Sequence, residues 1–145
     1  MSKGTVAYRV CKAIIRVDAE AASQYLMALK RASGSANDGK LEFLGGRMES
    51  GEAPYETLVR ELSEEEATGS LARIVKSHVI SPAAHPIGDA LHYFFTFDIS
   101  LEQYSGMKYH PAESYGLRLV TKVALTPSVE EYTRKTNKII ALLPL

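Results

Sequence analysis

The feature that most constrains the fold is the segment from Leu44 to Gly69, LGGRMESGEAPYETLVRELSEEEATG. It opens with a glycine pair, which favours a turn, and Pro54 then suits the first turn of a helix. Leu58 and Leu62 are four residues apart, so they give this helix an apolar stripe that is expected to pack against a core. The segment therefore predicts a turn followed by an amphipathic helix that stops near Gly69.

A second face of the same helix is acidic. Glu61, Glu64 and Glu65 are three and four residues apart, which makes their carboxylates neighbours on a helix. Like charges at this spacing repel by about 0.2 to 0.5 kcal/mol per pair. Solvent absorbs that repulsion on an exposed face, whereas a divalent cation would reverse it. Both a solvated helix face and a cation site are compatible with these residues alone.

Apolar segments on both sides of the helix predict a sheet. Residues 5–17, TVAYRVCKAIIRV, are rich in β-branched side chains and indicate a strand with residues 23–32 as its partner. A polar loop at residues 33–40 precedes a short strand, LEFL. Further strands are predicted at residues 72–80, 91–99 and 115–125.

The strand at residues 91–99 is expected to lie in the centre of the sheet. Phe94 points to one side of it, and Tyr93, Phe95 and Phe97 point to the other. Apolar side chains on both faces are typical of a strand that is covered on both sides. Its connection to the preceding strand, residues 81–89, contains prolines and a glycine and is expected to be irregular.

A second helix is predicted to begin at Ser128, with Glu131 completing a capping box. Strands before, between and after two helices favour an α/β fold, a mixed sheet sandwiched between helices in an α/β/α arrangement. The length fits a single domain, residues 1–145. Cys11 lies in an apolar run and is expected to be an inert core residue.

Charge and hydropathy exclude several classes of partner. The chain has 17 Lys and Arg residues and 17 Asp and Glu residues, so it has no basic field to attract duplex nucleic acid or an anionic membrane. No segment approaches the roughly 20 apolar residues of a membrane span, and the first ten residues lack the apolar part of a signal peptide. A cytoplasmic location is therefore expected.

The spacing around the glutamates carries a resemblance to a known family. The pattern G-x5-E-x7-R-E-U-x-E-E, where U is aliphatic, is met by Gly46, Glu52, Arg60, Glu61, Leu62, Glu64 and Glu65. This resembles the Nudix box, and the chain is identified as similar to MutT-like Nudix hydrolases. The flanking KLEFLGGRMESGE and ESYGLRLV also resemble family segments, with Leu119 where relatives have tryptophan.

The resemblance has three departures. Ala67 replaces the box glycine and Thr68 its closing aliphatic residue, while Leu44 replaces the proline that usually precedes the glycine pair. Without the glycine at Ala67, the helix is expected to run on as far as Gly69. The carboxylate face should be unaffected by this change.

The resemblance implies hydrolysis of a nucleoside diphosphate linked to another moiety, with Mg²⁺ as cofactor and Mn²⁺ as a substitute. The first candidate substrate is a (d)NTP or a related nucleotide, and ADP-ribose, a nucleotide sugar or a dinucleoside polyphosphate is the alternative. A second alternative is a module that senses a nucleotide without cleaving it, although such proteins tend to lose box carboxylates. The expected partner is a small nucleotide, and a homodimer is left open.

The resemblance also assigns roles to residues. Metal ligands are expected to be the carbonyl of Gly45 and the carboxylates of the box and of a downstream loop: Glu61, Glu64, Glu65 and Glu113. Arg60 and Glu52 match positions that orient this cluster. The proton acceptor is left open among Glu61, Glu64 and Glu113.

Substrate contacts are the least constrained part of the prediction. Gly46 is expected to lie beside the substrate. Tyr93 and Phe95 could stack on a base, or they could be core residues, as aromatic side chains on a central strand usually are. Asn137 matches a position where MutT-like enzymes can place an asparagine that contacts a purine, or it could be a polar residue on the flank of its helix.

Overall fold

The structure is a computed structural model that describes residues 6–18, 23–78 and 80–143. These residues form seven strands, four α-helices and one short 3₁₀ helix. The strands are β1 (Tyr8–Asp18), β2 (Gln24–Lys30), β3 (Leu41–Phe43), β4 (Gly45–Arg47), β5 (Ala83–Ile87), β6 (Ala90–Ser100) and β7 (Ser114–Thr121). The α-helices are α1 (Pro54–Glu65), α2 (Ser70–Lys76), α3 (Leu101–Ser105) and α4 (Arg134–Leu142).

The strands form one mixed sheet with the order β3-β2-β1-β6-β5, to which β4 adds beside β1 and β7 beside β2. β1 and β6 are parallel along their whole length, and the other pairs are antiparallel. β1 pairs with β2 at one end and with β4 at the other. The glycine pair therefore lies against the middle strands of the sheet, where Lys12 is opposite Gly45.

Each face of the sheet has its own core, because the side chains of a strand alternate between faces. On one face, α1 and α2 pack Leu58, Leu62 and Leu71 against a cluster that includes Cys11 and Phe95. On the other face, α4 contributes Ile139 and Ile140 to a second cluster. Its other members include Ile14, Tyr25, Met27, Phe43, Phe94 and Tyr132. The prediction of a mixed sheet sandwiched between helices is confirmed.

Cys11 is fully buried, as its apolar neighbours indicate. Its thiol donates a hydrogen bond to the carbonyl of Pro54 at 3.3 Å. Burial, together with the charge of Glu52, raises the pKa of this thiol to about 12. Cys11 thus joins β1 to the start of α1 as a core residue.

The strand predicted at residues 72–80 is wrong. Residues Ser70–Lys76 form α2, and Val79 lies outside the described residues. Gly69 has φ 77°, a conformation that suits glycine, and it turns the chain between α1 and α2. Leu71, Ile74 and Val75 recur at helical spacing and are buried against α1, so tertiary packing overrides the β-branched composition.

The end of α1 also differs from the expectation for Ala67. The helix stops at Glu65, and Glu66 is already extended with φ −115° and ψ 111°. The fully buried carboxylate of Glu66 accepts hydrogen bonds from the backbone N–H groups of Lys108, Thr68 and Leu71 and from the Thr68 hydroxyl. Burial alone would raise the pKa of this carboxyl, but these hydrogen bonds lower it.

Glu66 is therefore expected to stabilise the fold strongly. Replacing it with alanine would leave several buried N–H groups without acceptors, so we expect the free energy of unfolding in urea to fall by at least about 2 kcal/mol. Glu130→Ala, which removes an exposed carboxylate, should change it by less than about 0.5 kcal/mol. Equal stability of the two variants would contradict this role for Glu66.

Three smaller elements differ from the prediction: β5, the start of α4, and α3. Within the connection predicted to be irregular, residues 81–89, the segment Ala83–Ile87 forms β5 and pairs antiparallel with β6, and Pro86 is tolerated on this edge strand. The last helix begins at Arg134 with Thr133 as its cap, not at Ser128. The short helix α3 was not predicted at all. Among the described residues, no helix combines the length and apolarity needed to cross a membrane.

Candidate active site

The glycine pair and α1 approach each other more closely than side chains would allow. A Cβ atom added to Gly46 would overlap the carboxylate of Glu61, and one added to Gly45 would overlap the carbonyl oxygen of Cys11. Gly45 also has φ 133°, which L-residues rarely adopt. The N–H of Gly45 donates to Glu65 Oε2 at 2.9 Å. These contacts place the backbone of β4 directly beside the glutamates of α1.

Arg60 is the centre of the site. Its Nε and Nη2 donate to the two oxygens of Glu52 at 2.8 and 3.0 Å, a bidentate pair. Its Nη1 donates to Glu61 Oε1 at 2.9 Å and to Glu64 Oε1 at 3.4 Å. Nη2 also donates to the carbonyl oxygen of Arg47 at 2.9 Å, which ties β4 to the cluster.

Glu52 is held by several donors. Besides Arg60, the Glu49 N–H donates to Glu52 at 2.7 Å and the Thr57 hydroxyl donates to it at 2.9 Å. The hydrogen bonds from Arg60, Glu49 and Thr57 lower the pKa of the Glu52 carboxyl to about 2. Because Glu52 stays ionised and fixed, it can hold the guanidinium in place.

The carboxylates of α1 carry more negative charge than Arg60 can balance. Burial and the nearby Glu64 raise the pKa of Glu61, although Arg60 opposes the shift. Burial raises the pKa of Glu65 well above its usual value, with Lys12 opposing and Glu42 adding to the shift. A divalent cation would relieve this mutual repulsion, because it favours the ionised form of each group.

The three glutamates do not gather into a ligand set in this conformation. Within residues 6–18, 23–78 and 80–143, no group of three or more His, Cys, Asp or Glu side chains is arranged to hold a metal ion. The carboxylate of Glu61 accepts a hydrogen bond from Arg60, and that of Glu65 accepts one from the Gly45 N–H. The side chain of Glu64 is 45% exposed. Their oxygen chemistry and unbalanced charge nevertheless fit a hard divalent cation after side-chain rotation.

The downstream loop that carries Glu113 is anchored beside the same helix. The N–H of His110 donates to the carbonyl of Glu65 at 3.3 Å, and the N–H of Ala67 donates to the carbonyl of Lys108 at 2.8 Å. Glu113 follows three residues after His110 and is exposed. The fold thus brings the loop to the end of α1, while the role of the Glu113 carboxylate stays a prediction.

Of the two alternatives for Tyr93 and Phe95, base stacking and core packing, their positions favour core packing. Phe95 is fully buried in the core under α1 and α2, and Tyr93 packs against the same core. A cleft lined by Val10 and Lys12 lies on the opposite face of the sheet. Alternation along β6 therefore puts both rings on the side of the sheet opposite this cleft.

Asn137 is also occupied elsewhere. Its Oδ1 accepts a hydrogen bond from the N–H of Ser128 at 2.8 Å, and its Nδ2 donates to the Ser128 carbonyl at 3.1 Å. The amide thus clamps the chain that precedes α4. Both polar ends of the side chain have backbone partners in this conformation, which favours the alternative of a polar residue on the flank of the helix, and the contact with a purine stays a prediction.

A cleft of about 420 Å³ is lined by Gly45 and Gly46, which the sequence indicated, and by charged residues that it did not indicate. It lies between the sheet and the start of α4. Its charged side chains are Lys12, Lys30, Glu42, Arg47, Arg134 and Lys135. Of these, only Lys12 could have been noticed in the sequence, because it is a charged residue inside an apolar strand. In the structure it is 8% exposed.

The family of the chain follows from a match over most of its length. A family model for the NUDIX domain matches residues 8–132. The chain belongs to the Nudix family. Family membership supports assignment as a pyrophosphohydrolase, and Nudix hydrolases generally use divalent metals and bind small nucleotide substrates. A sequence search among curated proteins gave no match.

Solved structures share the fold at low sequence identity. The Deinococcus radiodurans protein DR0079 has a TM-score of 0.71 and 17% identity over 92% of this chain and 81% of its own. A C. elegans Ap4A hydrolase has a TM-score of 0.63 and 9% identity over 93% of both chains. The Nudix domain of Shewanella oneidensis NrtR, complexed with ADP ribose, has a TM-score of 0.62 and 14% identity over 97% of this chain and 86% of its own.

Proposed function

We propose that this Nudix protein hydrolyses the phosphoanhydride of a nucleoside diphosphate linked to another moiety, with Mg²⁺ as cofactor and Mn²⁺ as a substitute. The first candidate substrate is a (d)NTP or a related nucleotide. The observation that supports this proposal is the single guanidinium of Arg60 that braces Glu52, Glu61 and Glu64 beside the glycine pair. This cluster lies next to a cleft rich in positive charge.

The residues that would hold the metal are Glu61, Glu64, Glu65, the carbonyl of Gly45 and, from the downstream loop, Glu113. Hard oxygen donors of this kind suit Mg²⁺ and Mn²⁺ better than softer metals. When bound, the cation would supply charge neutralisation of the diphosphate and a more acidic water. The raised pKa values of Glu61 and Glu65 fit a site that needs a cation to balance it.

The chain itself contributes position and a proton acceptor. Arg60 fixes Glu61, and Glu52 fixes Arg60 through a bidentate pair, so both act as positioning residues. Glu64 is exposed whereas Glu61 and Glu65 are partly buried, and the exposed fraction of the side chain is 45% for Glu64 against 15% for Glu61. We therefore favour Glu64 as the carboxylate that can meet a water and accept its proton.

Other substrates of the same class are the alternative. An Ap4A hydrolase and an ADP ribose complex are among the structures with this fold, so dinucleoside polyphosphates, ADP-ribose and nucleotide sugars belong in any assay. The second alternative is a nucleotide sensor without turnover. A homodimer and a cytoplasmic location also stay predictions.

The test is an assay of Mg²⁺-dependent hydrolysis with products identified by mass. The panel contains (d)NTPs, ADP-ribose, nucleotide sugars and dinucleoside polyphosphates, and each is run with Mg²⁺, with Mn²⁺ and with EDTA. We expect at least one substrate to be cleaved only when a divalent metal is present. If no compound is turned over with either metal although nucleotides bind, the sensor alternative replaces the enzyme.

A further inference from the structure

The cleft beside the glycine pair is far more basic than the rest of the protein. It is lined by five basic side chains and one acidic side chain: Lys12, Lys30, Arg47, Arg134, Lys135 and Glu42. Over the whole sequence, by contrast, 17 basic residues balance 17 acidic ones. Its volume of about 420 Å³ is within the usual range of a small-molecule site. An uneven charge of this kind attracts anions.

Most of these cations have no carboxylate to neutralise them. Glu42 is shared between Lys12 at 3.3 Å and Lys30 at 3.4 Å. Within the part of the chain that the structure describes, no ion pair involves Arg47, Arg134 or Lys135. The positive charge of these three residues, called the outer cations below because they are exposed whereas Lys12 is buried, is therefore available for a ligand.

Two of the outer cations are held in place by Tyr8. The Arg47 guanidinium lies 3.9 Å from the centre of the Tyr8 ring, and the Lys135 ammonium lies 4.6 Å from it. Lys135 Nζ also donates to the Tyr8 hydroxyl at 2.6 Å. Both cations thus converge on one ring, which brings like charges together. Arg134 and Lys135 also occupy the first turn of α4, where the helix dipole favours anions over cations.

The same cleft is poorly equipped for a nucleobase. Tyr93 and Phe95 belong to the core on the other face of the sheet, and the amide of Asn137 is bonded to the backbone. Asn37, which does line the cleft, accepts a hydrogen bond from the N–H of Arg134 at 3.4 Å. Cations line the space instead, and cations suit phosphate oxygens.

We propose that this cleft is a phosphate subsite. The inference rests on the proposed hydrolase function: the subsite would hold phosphate groups that lie beyond the cleaved anhydride, so preferred substrates carry an additional phosphate at that end. A base or a neutral sugar at the same end would leave the cations without a partner. The residues assigned to substrate binding are Arg47, Arg134 and Lys135, which line the cleft and have no ion pair within the described residues.

The first test measures binding and does not depend on turnover. Inorganic tripolyphosphate is titrated calorimetrically into the protein in EDTA, so that no divalent cation can bridge it to the glutamates. We expect binding that weakens as NaCl is raised, and a roughly three- to fivefold loss of affinity in each of Arg134→Met and Lys135→Met. Lys138→Met is the matched control, because Lys138 is on the same helix but does not line the cleft.

The outcomes separate clearly. Loss of affinity in the two cleft variants and not in the control supports the subsite. Equal affinity in all four proteins, or no binding of tripolyphosphate at low salt, overturns it. Circular dichroism confirms that each exposed substitution leaves the fold intact.

A second measurement separates this inference from the proposed function. ADP-ribose and ADP-ribose 1″-phosphate differ by one phosphate group on the terminal ribose, and KM and kcat are compared for both. We expect a lower KM for the phosphorylated compound, and an increase in that KM alone in Lys135→Met. If both compounds are cleaved with equal KM values that Lys135→Met leaves unchanged, the subsite is wrong although the hydrolase stands. If neither compound is cleaved, the hydrolase proposal is decided by the assay on the full substrate panel. The subsite proposal is then decided by the binding of tripolyphosphate.

Discussion

Glu64→Gln is expected to lower kcat by roughly 10² to 10⁴ while the protein keeps its fold. Glutamine has nearly the same shape, but it cannot accept a proton from water and is a poorer ligand for a divalent cation. The Glu64 side chain is 45% exposed, and within the described residues its one hydrogen-bond partner is Arg60 at 3.4 Å, so little native packing is lost. The measurement is the steady-state rate on the substrate that the panel identifies, with a thermal melt of each protein.

Glu56→Gln is the matched control for this change. Glu56 lies on the same helix, but its carboxylate caps the helix start by accepting from the Ala53 N–H at 2.9 Å. Glutamine can accept the same hydrogen bond, so kcat should stay close to that of the unchanged protein. If Glu64→Gln hydrolyses nucleotide at the native rate, Glu64 has no part in the chemistry.

Gly45→Ala is expected to reduce the free energy of unfolding by about 2 to 5 kcal/mol. The new Cβ would overlap the carbonyl oxygen of Cys11, which belongs to the backbone of the central strand β1 and cannot move aside cheaply. The native φ of 133° adds strain for any residue with a side chain. Urea denaturation followed by circular dichroism measures the loss, and a midpoint equal to that of the native protein would contradict the close approach of β4 to β1.

Gly46→Ala should act on activity more than on stability. The three atoms nearest to its Cβ would all belong to the carboxylate of Glu61, the far end of a flexible side chain that can rotate away. That rotation would break the 2.9 Å hydrogen bond between Glu61 and Arg60. We expect a fall in kcat of about 10² with a small change in the unfolding midpoint, so the neighbouring glycines should give opposite patterns.

Predictions from the spacing of side chains were correct where the spacing lies within a single helix or strand. The spacing of Glu61, Glu64 and Glu65 predicted a shared helix face, and α1 begins at Pro54 as expected. The alternation of Phe94 and Phe95 predicted a strand covered on both faces, which β6 is. In both cases the period of the side chains decides their direction before any packing is known.

Other elements depended on neighbours that are distant in sequence. Residues 72–80 have a composition typical of a strand, yet α2 forms there because its apolar side chains pack beside α1. The helix α1 stops at Glu65 because the Glu66 carboxylate finds donors in the loop at Lys108, 42 residues away. No local pattern contains that partner, so the expected run to Gly69 could not be corrected from the sequence.

The sequence by itself determined the family, the order of chemical groups in the box and the helix face on which the glutamates lie, because these depend on fixed spacing within one segment. Only the tertiary structure decided that Arg60 braces Glu52 and Glu61, that Asn137 serves the backbone, and which face of the sheet holds the cleft. It also decided that cations from β1, β2, β4 and α4 share one cavity. Such convergence arises from strand pairing and helix packing over more than a hundred residues, and spacing along the chain does not encode it locally.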